Sequence, residues 1–215
     1  MNAPSVSVVL PARNAEATLS AAVATLRNQD LEDFEIVLVD HGSTDGTNAL
    51  MTTMARRDDR ILVLRCEGPF VEAANLAWQA ASGRLIARMD ADDLAAPSRL
   101  RIQRDLLITH PELAGCGSRV RILKRVESGA LVPPDDGYRR YETWINGVIS
   151  PEAIRSERFI DSPLPNPTMM VRREILETSG GYVDPEWAED YDLWLRLLES
   201  GHRFGKAPEI LLDWL

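Results

Sequence analysis

Two carboxylates spaced two residues apart follow an apolar run of the sequence. The run 85–89 leads directly into Asp90, Asp92 and Asp93. Side chains two apart on an extended backbone point the same way, so Asp90 and Asp92 can converge on one hard cation. Mg²⁺ or Mn²⁺ takes carboxylate oxygens and completes its shell with waters and substrate phosphates. This D-x-D string predicts a metal site beside a phosphate-bearing substrate, with Asp93 capping the next turn; a solvated acidic turn is the alternative.

Another acid ends the second apolar run, 34–40. In dinucleotide-binding folds an acid at this position binds the ribose. The Asp40 carboxylate can also accept the imide N–H of uracil. The alternative is an Asx turn or an N-cap for the next helix, because Ser43, Thr44 and Asp45 are cap residues too.

The loop after the first apolar run, from Pro11 to Glu16, contains Arg13 and no glycine. Dinucleotide-binding loops need the pattern G-x-G-x-x-G so that the backbone can approach the phosphates, and P-loop ATPases need G-x-x-x-x-G-K-[ST]. Neither pattern occurs in the chain. The sequence therefore argues against a dehydrogenase and against a P-loop ATPase.

Three acids, Glu189, Asp190 and Asp192, open the last predicted helix. Acids in a first turn stabilise a helix through its dipole, so a purely structural role is one interpretation of all three. The other interpretation is a general base aimed into a cleft, which needs an ionised carboxylate. Trp187, in the loop before the acids, is a candidate for stacking on a substrate.

The elements that must position these residues are short strands alternating with helices. Asn14 is expected to cap the first helix, and Ser150, Pro151 and Glu152 form a good helix start. The predicted strands are 5–10, 34–40, 61–65, 85–89, about 115–123 and 168–171, and the predicted helices are 14–28, one that ends near 57, 71–82, 97–109 and 189–199.

Near-continuous apolar strands separated by helices predict an α/β fold with a mostly parallel central sheet and helices on both faces. Ligands on such sheets bind beyond the carboxyl ends of the strands, which is where the polar clusters fall. We expect one domain, residues 1–215. Residues up to about 115 form its nucleotide-binding half, and the less regular remainder from about 116 forms an acceptor and catalytic half.

Composition and charge limit the kinds of molecule that the protein can bind. The formal net charge is -9, which makes nucleic acid an unsuitable partner and requires a cation between the protein and any anionic substrate. No apolar run approaches the roughly 20 residues of a membrane span, and the first residues do not resemble a signal peptide. Cys66 and Cys116 fit buried apolar side chains in a reducing compartment, so a cytoplasmic location is expected.

Four segments together resemble the family 2 glycosyltransferases, which have the GT-A fold. The first is Ser7–Asn14 (SVVLPARN) and the second is Val39–Thr47 (VDHGSTDGT). The third runs from Ala74 through Gly83 to the DADD of residues 90–93, and the fourth pairs GGY at 180–182 with AEDYDLWLR at 188–196. Their order and spacing make the resemblance specific, and it covers about Ser5 to Asp213.

The resemblance implies a role for each matching residue. The loop carrying Pro11, Arg13 and Glu16 would hold the nucleotide base together with Asp40. Asn75 would belong to the same nucleotide site. Asp90 would lie by the ribose and the metal, and Asp92 would ligate Mn²⁺ or Mg²⁺ on the diphosphate. Asp190 would be the catalytic base.

The implied activity is metal-dependent, inverting transfer of a sugar from a nucleotide-diphosphate sugar to a hydroxyl, as in the synthesis of cell-surface polysaccharides or glycoconjugates. A uridine diphosphate sugar is the expected donor, and a saccharide or a lipid-linked molecule is the expected acceptor. A lipid-linked acceptor would place the protein peripherally at the inner face of the membrane. The sequence does not define the oligomeric state.

The chain also departs from the family pattern. Arg13 stands where many members have an aromatic residue, and His41 replaces a frequent aspartate. Many relatives continue beyond the equivalent of residue 215, so a missing C-terminal segment is expected. Two other functions remain open at this stage: a nucleotidyltransferase, which would need a glycine-rich loop after the first strand, and a binding module without catalytic activity.

Overall fold

The computed structural model describes residues 3–215, which form strands and helices in alternation. Met1 and Asn2, the start of the segment in which we expect no signal peptide, lie outside the described residues. The strands are β1 (Val6–Ala12), β2 (Phe34–His41), β3 (Ile61–Cys66), β4 (Leu85–Arg88), β5 (Leu94–Ala95), β6 (Leu113–Ile122), β7 (Lys124–Arg125), β8 (Leu131–Val132), β9 (Met170–Arg172) and β10 (Arg203–Trp214). The helices are α1 (Leu19–Arg27), α2 (Thr47–Ala55), α3 (Phe70–Ala80), α4 (Arg99–Thr109), α5 (Asp136–Gly147), α6 (Pro151–Glu157), α7 (Arg173–Ser179) and α8 (Glu189–Glu199), with a 3₁₀ turn at Asn166–Thr168.

Eight of these strands form one sheet in the order β3-β2-β1-β4-β9-β6-β10-β5. Strands β1 to β4 run parallel to one another, and β6 and β10 run parallel to each other. Only β9 and β5 oppose their neighbours in this sheet of the described chain. The predicted mostly parallel α/β sheet is confirmed, and β7 and β8 form a separate hairpin.

Alternating side chains of the central strands pack against helices on opposite faces of the sheet. Val8 and Leu10 of β1 lie in a core shared with α1, α2 and α4. Val9, one position between them, lies in a second core shared with α3, α7 and α8. Because both faces are covered, the strands are apolar at almost every position. The prediction of helices on both faces is confirmed.

The first helix begins later than predicted. It starts at Leu19, whereas Asn14 lies outside it in a left-handed conformation with φ 51°. The Oδ1 of Asn14 instead accepts a hydrogen bond of 2.9 Å from the N–H of Thr44. The prediction that Asn14 caps this helix is therefore wrong. Asparagine tolerates the left-handed region well, which allows its side chain to bind a neighbouring loop.

The second half of the chain is more regular than predicted. The segment 124–165 contains the β7–β8 hairpin and two helices, α5 and α6. The predicted start of α6 is confirmed, because the hydroxyl of Ser150 accepts a 3.2 Å hydrogen bond from the N–H of Ala153. The expected boundary near residue 115 falls inside β6, a strand of the eight-stranded sheet. The division of the domain into a nucleotide-binding half and an acceptor half stays a prediction. Among residues 3–215, no helix is long and apolar enough to cross a bilayer.

Candidate functional site

The strand order places a change of direction between β1 and β4. The chain runs outward from β1 through β2 to β3, then returns to place β4 on the other side of β1. Ligands bind at such a switch point, beyond the carboxyl ends of the strands. The loops that follow β1, β2 and β4 therefore define the candidate site.

Hydrogen bonds lock the loop after β1 to the loop after β2. The Glu16 carboxylate accepts a 2.9 Å bond from the N–H of Gly46, at the start of α2, so this acid faces the neighbouring loop. Pro11 is buried within β1, opposite Val39 of β2. The other bonds between the two loops are Asn14 N to Ser43 Oγ (3.0 Å), Thr44 N to Asn14 Oδ1 (2.9 Å), Ala15 N to Thr47 Oγ1 (2.8 Å) and Glu16 N to Asp45 Oδ2 (3.2 Å).

Asp40, near the end of β2, is completely buried. Its Oδ1 accepts a 3.1 Å hydrogen bond from the N–H of Ser43, so the alternative of an Asx turn is also present. Its Oδ2 is buried without a hydrogen-bond partner. A buried acceptor without a partner costs about 1–3 kcal/mol, and a ligand donor that reaches it recovers this energy.

Phe70 connects the ends of β2 and β4. Its ring meets that of His41 edge-on at 5.8 Å between centroids, and the guanidinium of Arg88 lies 5.5 Å from its centroid. Burial lowers the pKa of His41 and the charge of Arg13 lowers it further, which places Arg13 within electrostatic reach of this group. Phe70 was not predicted from the sequence, because an aromatic residue at a helix start carries no signal of its own.

Arg88 is the buried cation at the end of β4, and its side chain is 5 % exposed. Its Nη2 donates a 2.6 Å bond to Oδ1 of Asp90, and Nη1 donates to the carbonyl of Met89. Burial alone would lower the pKa of Arg88, but Asp90, Tyr182 and Asp93 together outweigh this effect and the pKa lies above its ordinary value. Asp90 therefore faces a fixed positive charge.

The sequence predicted that Asp90 and Asp92 lie on one extended segment, and this prediction is wrong. Ala91 and Asp92 form a turn, because the chain bends there into β5. The side chain of Asp92 is exposed, yet crowding by protein atoms raises its pKa and the charge of Asp90 raises it further. The two carboxylates thus influence each other across the turn rather than from one strand face.

Asp93 has a different role from the predicted turn cap. It is fully buried, and its Oδ1 accepts a 3.0 Å bond from the N–H of Leu215, just after β10. Burial raises the pKa of Asp93 to about 8, and the neighbouring charge of Asp90 contributes. Asp93 therefore joins the D-x-D turn to the far end of the chain.

The residues of this turn fit a divalent cation whose shell is completed by a ligand. Within residues 3–215 no group of three or more His, Cys, Asp or Glu side chains is arranged to hold a metal by itself. Mg²⁺ characteristically takes only one or two carboxylates and fills its remaining positions with waters and substrate phosphates. Asp92, exposed and repelled by Asp90, offers such a carboxylate.

The three acids of α8 differ in their surroundings. Asp192 forms a 2.6 Å ion pair with Arg196, which also donates a 2.7 Å bond to the carbonyl of Gly181. Burial raises the pKa of Asp190; the charge of Glu189 raises it further, whereas Arg88 lowers it. Asp190 is thus the half-buried acid within electrostatic reach of Arg88, whereas Asp192 holds the preceding turn.

Trp187 and Tyr191, which lie on either side of Asp190 in the sequence, pack against each other. Trp187, 49 % exposed, meets Tyr191 edge-on at 5.3 Å between ring centroids. The hydroxyl of Tyr191 donates a 2.5 Å hydrogen bond to the carbonyl of Arg158, which fixes the start of α8 against the segment after α6. The stacking role of Trp187 stays a prediction.

Asn75 clamps the turn that leads to α8. Its amide donates a 2.8 Å bond to the carbonyl of Tyr182 and accepts a 3.0 Å bond from the N–H of the same residue. Its Oδ1 also accepts from the indole of Trp78 at 2.9 Å. Gly181 has φ +71°, and a Cβ there would lie 2.5 Å from Oδ1 of Asn75, so only glycine fits. A contact between Asn75 and a nucleotide stays a prediction.

Comparison with known proteins gives a sequence match over most of the chain. The profile of the family described as glycosyl transferase family 2 matches residues 7–180. An uncharacterized glycosyltransferase of Haemophilus influenzae is 28 % identical over 99 % of this chain, which spans 66 % of that protein. The putative glycosyltransferase EpsE of Bacillus subtilis is 31 % identical over 97 % of this chain, which spans 72 % of it.

Two solved structures share the arrangement of strands and helices. S. aureus TarS 1–349 in complex with UDP-GlcNAc has a TM-score of 0.70 at 20 % identity, over 97 % of this chain and 57 % of its own. The mannosyltransferase PcManGT from Pyrobaculum calidifontis, in complex with GDP-Man and Mn²⁺, has a TM-score of 0.75 at 21 % identity, over 99 % of this chain and 57 % of its own. This chain thus spans less than two thirds of either protein.

The clamp predicts that Asn75→Ala destabilises the fold. The substitution leaves both backbone groups of Tyr182 without their partner, at a cost of about 1–3 kcal/mol in the free energy of unfolding measured with urea. Asn48→Ala, on α2, is the control, since no hydrogen bond of the Asn48 side chain occurs among the described residues. Unchanged stability in Asn75→Ala would contradict the clamp.

Proposed function

Because the chain belongs to glycosyl transferase family 2 and has the fold of the GT-A glycosyltransferases, we propose that it transfers a sugar from a nucleoside diphosphate sugar to an acceptor hydroxyl. The observation that carries the proposal is that Asp92 of the D-x-D turn and Asp190 of α8, far apart in sequence, both lie within electrostatic reach of the buried Arg88. The family to which the chain belongs consists of glycosyltransferases. The two alternative functions, a nucleotidyltransferase and a binding module without catalytic activity, are therefore withdrawn.

The donor nucleotide lies, in this proposal, across the ends of β1, β2 and β4. The unpartnered Oδ2 of Asp40 is suited to the imide N–H of uracil, and Arg13 and Phe70 flank the neighbouring His41. Asp90 lies at the ribose, with its charge balanced by Arg88. TarS binds UDP-GlcNAc and PcManGT binds GDP-Man on a similar fold, which supports a nucleotide-sugar donor; uridine is our assignment from Asp40.

We propose that a divalent cation links the acidic site to the diphosphate of the donor. The chain carries a net charge of -9, and Arg88, the cation at the D-x-D turn, is already paired with Asp90. A diphosphate beside Asp92 and Asp190 would therefore be repelled. Mn²⁺ or Mg²⁺ held by Asp92 would neutralise the diphosphate and stabilise the charge that develops on it as it leaves. PcManGT, with Mn²⁺ in its complex, supports this assignment.

The chemical step that we propose is a direct displacement with inversion. The acceptor oxygen forms a bond to the anomeric carbon while the bond from that carbon to the diphosphate oxygen breaks, and its electron pair leaves with the diphosphate. Asp190 takes the proton of the acceptor hydroxyl, as a general base does. Asp190 lies in the first turn of α8, and the N-terminal end of this helix favours its ionised form.

We expect Asp92→Asn to weaken the binding of UDP plus Mn²⁺ by roughly tenfold or more, about 1.4 kcal/mol per factor of ten. The amide cannot supply the anionic oxygen that the cation needs. Calorimetry measures the affinity with and without Mn²⁺, and Asp59→Asn, an exposed acid before β3, is the control. An unchanged affinity in Asp92→Asn would remove the metal assignment.

We expect Asp40→Asn to narrow the preference for UDP over CDP. A charge-assisted hydrogen bond to the uracil imide contributes about 1.5–3 kcal/mol, whereas the amide of Asn presents a donor that suits the N3 acceptor of cytosine instead. The ratio of the two dissociation constants, each measured with Mn²⁺, reports the change. If the ratio is the same in both proteins, Asp40 only shapes the turn.

We expect Asp190→Asn to lower kcat for donor hydrolysis roughly 10²–10⁴-fold while UDP affinity changes only a few-fold. A general base works when ionised, so the wild-type rate should fall as the pH drops through the pKa of Asp190, which burial holds above its ordinary 3.8. The hydrolysis rate of the Asp190→Asn variant should not show this fall at low pH. Glu189→Gln is the control, and loss of activity there, with normal Asp190→Asn, would move the base to Glu189.

A further inference from the structure

A small cavity lies between the sheet and the helices α3, α7 and α8. Its volume is about 10 Å³, and its walls include Arg88 of β4, Trp194 of α8 and Tyr182 of the segment between α7 and α8. All three of these residues are buried. The other walls are apolar except for the indole of Trp78, whose N–H already donates to Oδ1 of Asn75 at 2.9 Å.

Two buried N–H groups in this wall have no hydrogen-bond partner among residues 3–215. They are Nε of Arg88 and the indole Nε1 of Trp194. The remaining donors of Arg88 are used elsewhere, because Nη2 donates to Asp90 and Nη1 donates to the carbonyl of Met89. A buried donor without an acceptor is costly, most of all on a charged group. Both N–H groups therefore call for an acceptor in the space between them.

One water molecule fits this cavity in size and in hydrogen bonds. A space of about 10–15 Å³ is the least that holds a water, and a buried water needs roughly two to four polar partners. Arg88 and Trp194 supply two donors. Tyr182 supplies an acceptor, because its hydroxyl donates to Oδ1 of Asn166 at 3.1 Å and its oxygen keeps lone pairs for a second bond. Among the described residues, no acidic side chain lines this cavity.

The face of α8 that carries Trp194 also carries the proposed base. Asp190 and Trp194 are four residues apart in the helix Glu189–Glu199, so their side chains lie one above the other on one face. An acceptor shared by Trp194 and Arg88 would hold this face of α8 against the end of β4, where the chain enters the D-x-D turn.

We propose that this cavity binds one structural water, which accepts hydrogen bonds from Arg88 and Trp194 and donates one to Tyr182. Through this water, Trp194 is a positioning residue for Asp190. The water site stands on the cavity and on its unpaired donors alone. The role of Trp194 in catalysis rests on the proposed function, because it takes Asp190 as the base.

A crystal structure of the full chain, together with a second crystal soaked in bromide, tests the water site. We expect one peak of electron density within hydrogen-bond distance of Nε of Arg88 and Nε1 of Trp194, with no anomalous signal from bromide there. Wild-type crystals suffice, so the result does not depend on the folding of a variant. The water assignment is overturned if no density lies between the two nitrogens, or if bromide occupies the place.

Trp194→Phe tests the positioning role, because phenylalanine keeps an aromatic ring and lacks the N–H. We expect kcat for donor hydrolysis to fall roughly tenfold, since a displaced base reacts poorly, while KM for the donor stays within a few-fold. In the background of Asp190→Asn the same substitution should lower kcat no further, because the group that it positions is already gone.

Leu176→Ala is the matched control. Leu176 of α7 lines the same cavity and is buried, so its truncation enlarges the cavity and destabilises the fold without removing a polar group. The folded variant should keep the wild-type kcat. An equal loss of kcat in Leu176→Ala, a wild-type kcat in Trp194→Phe, or a full further loss in the Asp190→Asn background would overturn the positioning role.

The affinity of the wild-type chain for UDP with Mn²⁺ separates this inference from the proposed function. If UDP does not bind, the proposed function and the role of Trp194 fail together, whereas the electron density alone decides the water site. If UDP binds and the density is missing, the water site fails and the proposed function stands.

Discussion

The buried guanidinium of Arg88 is the charge around which the candidate site is arranged. It lies at the end of β4, pairs with Asp90 at 2.6 Å and covers the ring of Phe70. Burial raises the pKa of Asp190 on α8, and the positive charge of Arg88 opposes that rise. A buried cation is stable only when acids and polar groups surround it, so this one residue requires the D-x-D turn, α3 and α8 to meet at one edge of the sheet.

A second buried acid and a second buried cation lie near Arg88, and neither has all of its hydrogen bonds. Asp93 lies buried beneath the turn with one carboxylate oxygen lacking a partner, and Arg99 nearby has a nitrogen without one. Burial lowers the pKa of Arg99 to about 10 and raises that of Asp93 to about 8, so each charge is costly where it stands. In our account the divalent cation is therefore held by Asp92, the exposed carboxylate of the turn, rather than by Asp93.

The periodicity of the sequence predicted the sheet, the helices on both faces and the strand ends where polar residues collect, because buried parallel strands are apolar throughout. It did not predict how side chains choose partners. Asn14 binds Thr44 rather than its own helix, and Asn75 uses its amide on the backbone of Tyr182. Asp92 lies in a turn because the chain must bend into β5. The contacts of Asn14 and Asn75 join residues far apart in sequence, and β5 pairs with the distant β10, so none of them can be read from a local pattern.

The most direct test of the central claim is a crystal structure of the chain with UDP and Mn²⁺, with anomalous diffraction recorded at the manganese absorption edge. Our account predicts one strong anomalous peak in contact with the Asp92 carboxylate and the diphosphate oxygens, with the uracil at Asp40 and with Asp190 facing the open side of the diphosphate. UDP bound at the sheet edge with manganese away from Asp92, or UDP bound outside the ends of β1, β2 and β4, would contradict it.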